Sequence, residues 1–453
     1  MISPENNLQL KTKYLFGGEN YLTDNKKISR YQKVMSFIAP LPAMFLLVNN
    51  YPILMLLAVF LVMSCSFLFL ILDWKITDFH SKILFILILL YSYFIFSFFA
   101  TGQSLFTFIS YNFIKYDGNF FFCYILFFAL STPFFDYERA SRNYFKYIFI
   151  TFAVFGILGI FEYVLGSTTI MNKMDPGAGK MFVGLNFAHN ATGSVYAVAS
   201  IFMIIFFLAE KRKNLKFYYL LITLILVAAL FLTKSRGSYI GFIVGTVCAL
   251  WFHYKNFKKF IIRAAVLTGV LIPLIFITGT YKRVSEIFTT TDTAVIRSKL
   301  WLQAWQLFVK SPIFGVGFGR FNDIDLSVNY KLNGINGLLS VFTGSNIRLD
   351  AAHAHNSYLQ FLSETGLVGL GFLILFWGMC FGILIRAYYS KEASAFARKV
   401  YLCGATSIIT IFTLAFTENY LSATTIILCV SMLVSFGIGL YWQELRLKSN
   451  QAF

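Results

Sequence analysis

The sequence predicts an all-α polytopic membrane protein, and three observations carry that prediction. Of 453 residues, 58% are hydrophobic and only 13% are charged, a charged share about half that of an ordinary soluble domain. Phenylalanine alone occurs 54 times, more apolar surface than a soluble fold of this length could cover. The apolar residues run in long unbroken stretches, not in the roughly ten-residue alternating segments of a membrane β-barrel. These features exclude a soluble globular domain, a disordered chain and a disulfide scaffold.

About twelve stretches read as transmembrane helices, at residues 34–48, 52–72, 83–100, 119–134, 147–165, 191–209, 217–233, 238–252, 261–278, 366–387, 399–417 and 421–441. The first, fourth and eighth are short, and Pro40 and Pro42 predict a kink in the first. Residues 1–30 are polar, with no apolar core or cleavage site, so the first membrane helix is expected to act as the insertion signal.

An even number of spans puts both termini on one side, and the distribution of Lys and Arg names that side. Lys11, Lys13, Lys26, Lys27, Arg30 and Lys33 precede the first span. Lys211, Arg212, Lys213 and Lys216 lie between the sixth and seventh, and Lys255, Lys258, Lys259 and Arg263 lie in the segment 253–263 that leads into the ninth. These segments alternate with weakly charged loops and are assigned to the cytoplasm. The net charge of +18 follows from this pattern. No nucleic-acid motif accompanies it, so nucleic acid is not an expected partner. The six cysteines all fall in apolar segments without a CxxC pair and read as packing residues.

No repeat or linker divides the chain, which reads as a single integral membrane domain, residues 1–453. Residues 279–352 form one large periplasmic loop between the predicted ninth and tenth spans, too long to be a mere connection. Within it, Leu300, Trp301, Ala304, Leu307 and Phe308 recur on one face of a helix over 297–308, which Pro312 terminates. That face suits packing on the outer membrane surface, and Arg297 is expected in the first turn, where free N–H groups also favour an anion.

Candidate chemistry gathers on the outer face. Ala352-His353-Ala354-His355-Asn356 precedes the tenth span, and a histidine at an aqueous boundary is a plausible general base. His353 and His355 on a strand would share a face and could ligate a metal, but no third ligand is evident, and no metal or cofactor is expected. Lys234-Ser235-Arg236-Gly237 is the whole predicted connection between the seventh and eighth spans. It places Lys234 and Arg236 where the positive-inside rule disfavours cations, and a guanidinium there suits phosphate oxygens. A base beside paired arginines suggests transfer from a phosphorylated leaving group. With no P-loop in the sequence, the donor is expected to arrive already activated, most simply as a lipid-linked pyrophosphate. His189, Tyr281, Arg320, Tyr330 and Arg348 are further candidates for sugar contact. Glu162 and Glu418 are suspects by position, each able to pair with an arginine instead of touching substrate. His80 and His253 fall on the cytoplasmic side and are expected to be inert.

Three stretches resemble the O-antigen polymerase and ligase family of bacterial envelope glycosyltransferases. Ser235-Arg236-Gly237 is similar to its Ser-Arg-Gly turn. Arg297, Trp301, Pro312, Gly315, Gly317 and Phe321 follow its loop pattern, and His355-Asn356-Ser357-Tyr358-Leu359 with Glu364-Thr365-Gly366 resembles its His-Asn motif. The resemblance implies a GT-C-like, metal-independent, inverting glycosyltransferase of the bacterial inner membrane. Its donor would be an oligosaccharide on undecaprenyl pyrophosphate and its acceptor a glycolipid. Arg236 and Arg297 would hold the leaving pyrophosphate and His355 would take the acceptor proton, with His353 the second choice. His353, Asn356, Lys234, His189, Arg320 and Tyr281 would line the substrate site.

Within that class an O-antigen polymerase is placed first and a ligase acting on lipid A core second, although no single residue decides between them. A secondary transporter is the alternative of a different class, since twelve helices is also a transporter count. It is disfavoured because the polar residues lie at the outer boundary and not at the bilayer midplane.

Overall fold

The computed structural model describes residues 33–44, 52–72, 78–100, 102, 104, 124, 137–168, 170–175, 179–186, 188–254, 256–277, 292–321 and 353–449. The chain is an all-α polytopic membrane protein. Its helices are α1 (Pro52–Leu72), α2 (Asp78–Phe99), α3 (Tyr137–Val164), α4 (His189–Ala209), α5 (Lys213–Leu232), α6 (Arg236–Tyr254), α7 (Phe257–Ile277), α8 (Asp292–Lys310), α9 (Ser357–Tyr388), α10 (Ala395–Leu414) and α11 (Thr424–Ser449). Among the described residues the sheet is one antiparallel hairpin, β1 (Asn172–Asp175) with β2 (Gly179–Phe182), pairing Asn172 with Phe182 and Asp175 with Gly179.

Eight helices among the described residues are long and apolar enough to cross a membrane: α2, α3, α4, α5, α6, α9, α10 and α11. Each overlaps a predicted span. The second and ninth predicted spans coincide with α1 and α7, and α7 carries Pro273 inside it. The first is broken, as its prolines require, into helical residues 33–38 and the short helix Leu41–Met44. The fourth lies outside the described residues except for Tyr124. Apolar side chains such as Phe85, Phe96, Ile157, Phe161, Leu367 and Ile374 point outward, a surface that water would not tolerate and lipid does.

Helices α4, α10 and α11 are the most enclosed, and α6 packs closely on α10. Gly237, Gly241 and Gly245 recur every fourth residue along α6, and a Cβ at each would collide with Thr417, Leu414 and Thr410 respectively. Small residues on one stripe let the two backbones approach, the usual device where lipid supplies no hydrophobic drive. The approach sets the start of α6 against the turn that follows α10.

The two ends of the bundle differ in charge. At one end Glu210, at the close of α4, is buried and receives Lys399 of α10 at 3.2 Å and Arg212 at 3.2 Å. Lys211, Lys213, Lys258, Lys391 and Arg398 lie at the same end, following from helix direction. The other end gathers the starts of α4, α6 and α9 and the turn from α10 to α11.

Two sequence expectations change here. Helix α8 begins at Asp292 and not at Arg297, so Arg297 falls in its second turn, beyond the free N–H groups. An acidic residue type at the first position suits a helix start. Leu300, Ala304 and Leu307 are fully buried, but against Phe321 and Ala354 and not toward a membrane surface, while Trp301 and Trp305 are exposed.

Candidate functional site

The opposite end is built by backbone chemistry around the start of α9. Asn356 caps that helix, its Oδ1 accepting from Tyr358 N at 3.0 Å and Leu359 N at 3.1 Å. Its Nδ2 donates to the Phe416 carbonyl at 3.3 Å, so both ends of this side chain help to hold the helix start. Ser357 N donates to the Ala415 carbonyl at 2.8 Å, and Ser357 Oγ donates to the Glu418 carbonyl at 3.1 Å while accepting from Leu421 N. These bonds fasten residues 415–421 to the residues just after His355.

The result brings Glu418 to both histidines. Its Oε1 forms a close ion pair with His355 Nδ1 and lies 3.9 Å from His353 Nε2. Its Oε2 lies 3.6 Å from Arg297 Nη2 and accepts from Asn190 Nδ2 at 3.4 Å. Burial pushes the Glu418 carboxyl up, but the hydrogen bond from His355 and the charges of His355, His353 and Arg297 outweigh it and hold it below its ordinary value. Burial depresses His353, with Glu418 opposing and His355 and Arg297 assisting. The carboxylate thus stays ionised, and His353 resists taking a proton.

Arg236 reaches the same neighbourhood by another route. It is the first residue of α6, and its neighbour Gly237 lies against Thr417. Ser235 Oγ donates to Asn190 Oδ1 at 2.9 Å, so Asn190 joins the Ser-Arg-Gly turn to Glu418. Tyr420 Oη closes the ring by donating to the Asn190 carbonyl at 2.9 Å. Among the described residues, the non-glycine residues with positive φ are Lys234 (55°) and His355 (50°). Both belong to this site, where unfavourable backbone persists only because the surroundings impose it.

A second layer fixes the histidine turn from below. Ala354 N, between the two histidines, donates to Gln360 Oε1 at 2.7 Å. Gln360 Nε2 donates to Glu364 Oε1 at 2.6 Å, and Phe321 N donates to the same oxygen at 3.0 Å. Gln303 of α8 donates to the Phe321 carbonyl at 3.2 Å. Helix α8, which carries Arg297, is therefore tied through Phe321, Glu364 and Gln360 to the histidines. Val316 N and Gly317 N donate to the Ser363 and Glu364 carbonyls. Gly315 (φ 72°) and Gly366 (φ 64°) interlock where the Gly-rich turn crosses the break in α9, and a Cβ on either would meet backbone of the other segment. Tyr93 of α2 pins the crossing through the Thr365 carbonyl at 2.7 Å.

The structure therefore gathers His353, His355, Arg297 and the start of α6 with Arg236. Lys234 sits in the adjoining turn, close to Gly179 of the hairpin. His189 is the first residue of α4 and half-buried, directly before Asn190. Arg320 lies in the Gly-rich turn, its backbone N–H bonded to the Gly317 carbonyl, one residue before Phe321. Tyr281, Tyr330 and Arg348 lie outside the described residues. Glu162 accepts from Ile170 N at 2.7 Å and Met171 N at 2.6 Å, holding the approach to the hairpin against the end of α3.

Sequence reasoning missed Asn190 and Gln360, and quoted Glu364 only as part of a motif, without a role. The available signal was a polar residue opening or interrupting an apolar span. It also found no third metal ligand, whereas Glu418 supplies one: ligand atoms of His353, His355 and Glu418 lie within 4.8 Å of one another. By type and number these could hold a divalent ion. The guanidinium of Arg297 beside the same carboxylate opposes a second dense cation there.

Residues 221–374 match the family described as O-antigen ligase. The chain is similar to the O-antigen ligase and polymerase family. The match takes in Arg236, Arg297, Arg320, His353, His355 and the Gly366 break, and stops short of Glu418. A Rickettsia typhi protein provisionally named a polysaccharide ligase is 24% identical over 175 residues, 38% of this chain and 41% of the relative. The chain's match thus spans about two fifths of that relative's length.

Proposed function

We propose that this chain is a membrane glycosyltransferase that moves a glycan from undecaprenyl pyrophosphate to a hydroxyl of an acceptor glycolipid. One observation carries the reading: a histidine and an arginine share the Glu418 carboxylate, and a second arginine opens the helix packed beside it. Arginine and lysine at a helix N-terminus repel the helix dipole unless an anion joins them, so the start of α6 with Lys234 and Arg236 suits a pyrophosphate.

His355 Nδ1, bonded to Glu418, leaves Nε2 for the acceptor. In the proposed step Nε2 takes the hydroxyl proton as the oxygen attacks the anomeric carbon from the face opposite the leaving group. The bond from that carbon to the pyrophosphate oxygen breaks, inverting the centre, and Arg236 and Arg297 neutralise the charge gathering on the departing phosphate. The basic end of the bundle is assigned to the cytoplasm, which puts both termini inside and the site on the periplasmic face of the inner membrane. The matched family and the Rickettsia typhi relative both carry the word ligase in their descriptions, which supports the ligase reading over the polymerase reading that the sequence placed first.

The test is purified protein with a defined undecaprenyl-pyrophosphate oligosaccharide and lipid A core, with products separated on gels. Capped core supports the ligase, and a ladder on the lipid carrier identifies a polymerase. Neither product, with intact donor, overturns the transferase. Activity is expected to survive EDTA, since arginines neutralise the leaving group. Loss that Mg²⁺ or Mn²⁺ restores would reassign His353, His355 and Glu418 as ligands. A cysteine introduced at Lys310, exposed at the end of α8, is expected to react with an impermeant thiol reagent from outside; labelling only after permeabilisation would invert the topology.

A further inference from the structure

Glu418 holds two partners with opposite fates in the proposed reaction. Its Oε1 belongs to His355, and its Oε2 faces Arg297 at 3.6 Å and Asn190 at 3.4 Å. Its own backbone is immobilised, since its carbonyl accepts from Ser357 Oγ and from Tyr420 N. The main chain that carries the carboxylate is therefore held in place, and its Oε1 stays within reach of His355.

Arg297 is the freer partner. Its side chain is 28% exposed against 12% for Glu418, and it reaches across from α8 on a long stem. At 3.6 Å the pair is looser than the roughly 2.7–2.9 Å of a charge-assisted hydrogen bond. A pyrophosphate offers denser negative charge and planar pairs of oxygens that a guanidinium can grip at two points. The loose ion pair is thus one the donor can take over, and the exchange leaves no charge bare: Arg297 passes to phosphate, and Glu418 keeps the histidine.

We propose that Glu418 is a shared counter-ion that couples donor binding to the base. In the empty site it restrains Arg297. When the donor pyrophosphate claims Arg297, the carboxylate serves His355 alone and fixes its ring with Nε2 toward the acceptor. Glu418 touches neither substrate and is a positioning residue. The inference rests on the pyrophosphate-donor reading above, and it goes further in predicting that the residue orienting the base also competes with the donor.

That competition gives a signature that a purely structural role would not produce. Glu418→Gln keeps an oxygen for His355 Nδ1 but removes the charge that restrains Arg297. Binding of undecaprenyl pyrophosphate alone, measured by titration calorimetry in detergent, should tighten about three- to tenfold, the scale of one like charge removed from a partly screened site. Transfer by the same variant should fall at least tenfold, since a neutral acceptor orients the imidazole less firmly. Glu418→Asp keeps the charge and shortens the reach, so it should bind the lipid pyrophosphate as wild type does and still transfer poorly.

The tightening should vanish when Glu418→Gln is combined with Arg297→Gln, because the competition is for that guanidinium. Unchanged binding in Glu418→Gln, or a gain that survives undiminished in the double variant, would overturn the sharing while leaving the donor intact. Failure of the wild-type protein to bind undecaprenyl pyrophosphate would overturn the donor assignment, and the sharing with it.

Discussion

Replacing His355 by alanine is expected to lower transfer by about 10²- to 10⁴-fold, the contribution of a positioned general base, while undecaprenyl pyrophosphate still binds. The base acts only when the acceptor hydroxyl gives up its proton, so its loss belongs to the chemical step and leaves the ground-state grip of the arginines in place. His355 sits at φ 50°, a conformation that disfavours alanine and histidine alike by about 1–2 kcal/mol. A folding defect is separated from lost chemistry by His355→Gly, because glycine adopts this backbone without strain. Both variants should be inactive. If glycine restores transfer, the side chain serves the fold and not the proton. His353→Ala should cost less, since burial depresses this imidazole and its Nε2 stands 3.9 Å from Glu418 rather than in a hydrogen bond. Full activity in His355→Ala with loss in His353→Ala would exchange the two roles.

What could be read from the sequence follows a physical division. A span of about twenty apolar residues is a local property, so α2, α4, α5, α10 and α11 were legible from hydropathy alone. Helix α9 was legible only from residue 366 onward, where its apolar part begins; the first nine residues carry Ser357, Gln360, Ser363 and Glu364, which hydropathy reads as loop. They are helical because Asn356 caps them and because the Gly-rich turn consumes the carbonyls freed at the Gly366 break. The start of α8 was misplaced for a related reason: its first turn has no apolar periodicity to find.

The arginines and histidines were legible as residue types out of place at a membrane boundary. Their junction was not. Glu418 lies between the last two spans, far along the chain from His355, and the bonds that Asn356 and Ser357 make to residues 415–421 bring them together. Asn190 links Ser235 to Glu418 through one amide, a contact no local pattern announces. Glu418 could be nominated from sequence as a carboxylate able to pair with an arginine, as it does with Arg297; that it also meets both histidines is a tertiary fact.

Arg297→Lys should lower kcat/KM by about 10²- to 10³-fold, as losing one well-placed donor to a developing oxyanion does. Lysine keeps the positive charge, and its ammonium can still pair with Glu418 in the empty site, so the variant should fold normally. What it loses is the planar fork. The leaving pyrophosphate gains charge as the glycosidic bond breaks, and a guanidinium can meet two of its oxygens at once where an ammonium acts as a point. Arg236→Lys should cost less, about tenfold, because the start of α6 and its helix dipole remain and still favour an anion. The loss in Arg297→Lys should appear at saturating donor as well as at low donor, since the interaction strengthens in the transition state. A purely KM effect would mean that Arg297 binds ground state and transition state equally. Wild-type rates at every donor concentration would remove Arg297 from the site altogether and leave Arg236 and Lys234, with the helix start they flank, as the cationic partners of the phosphate.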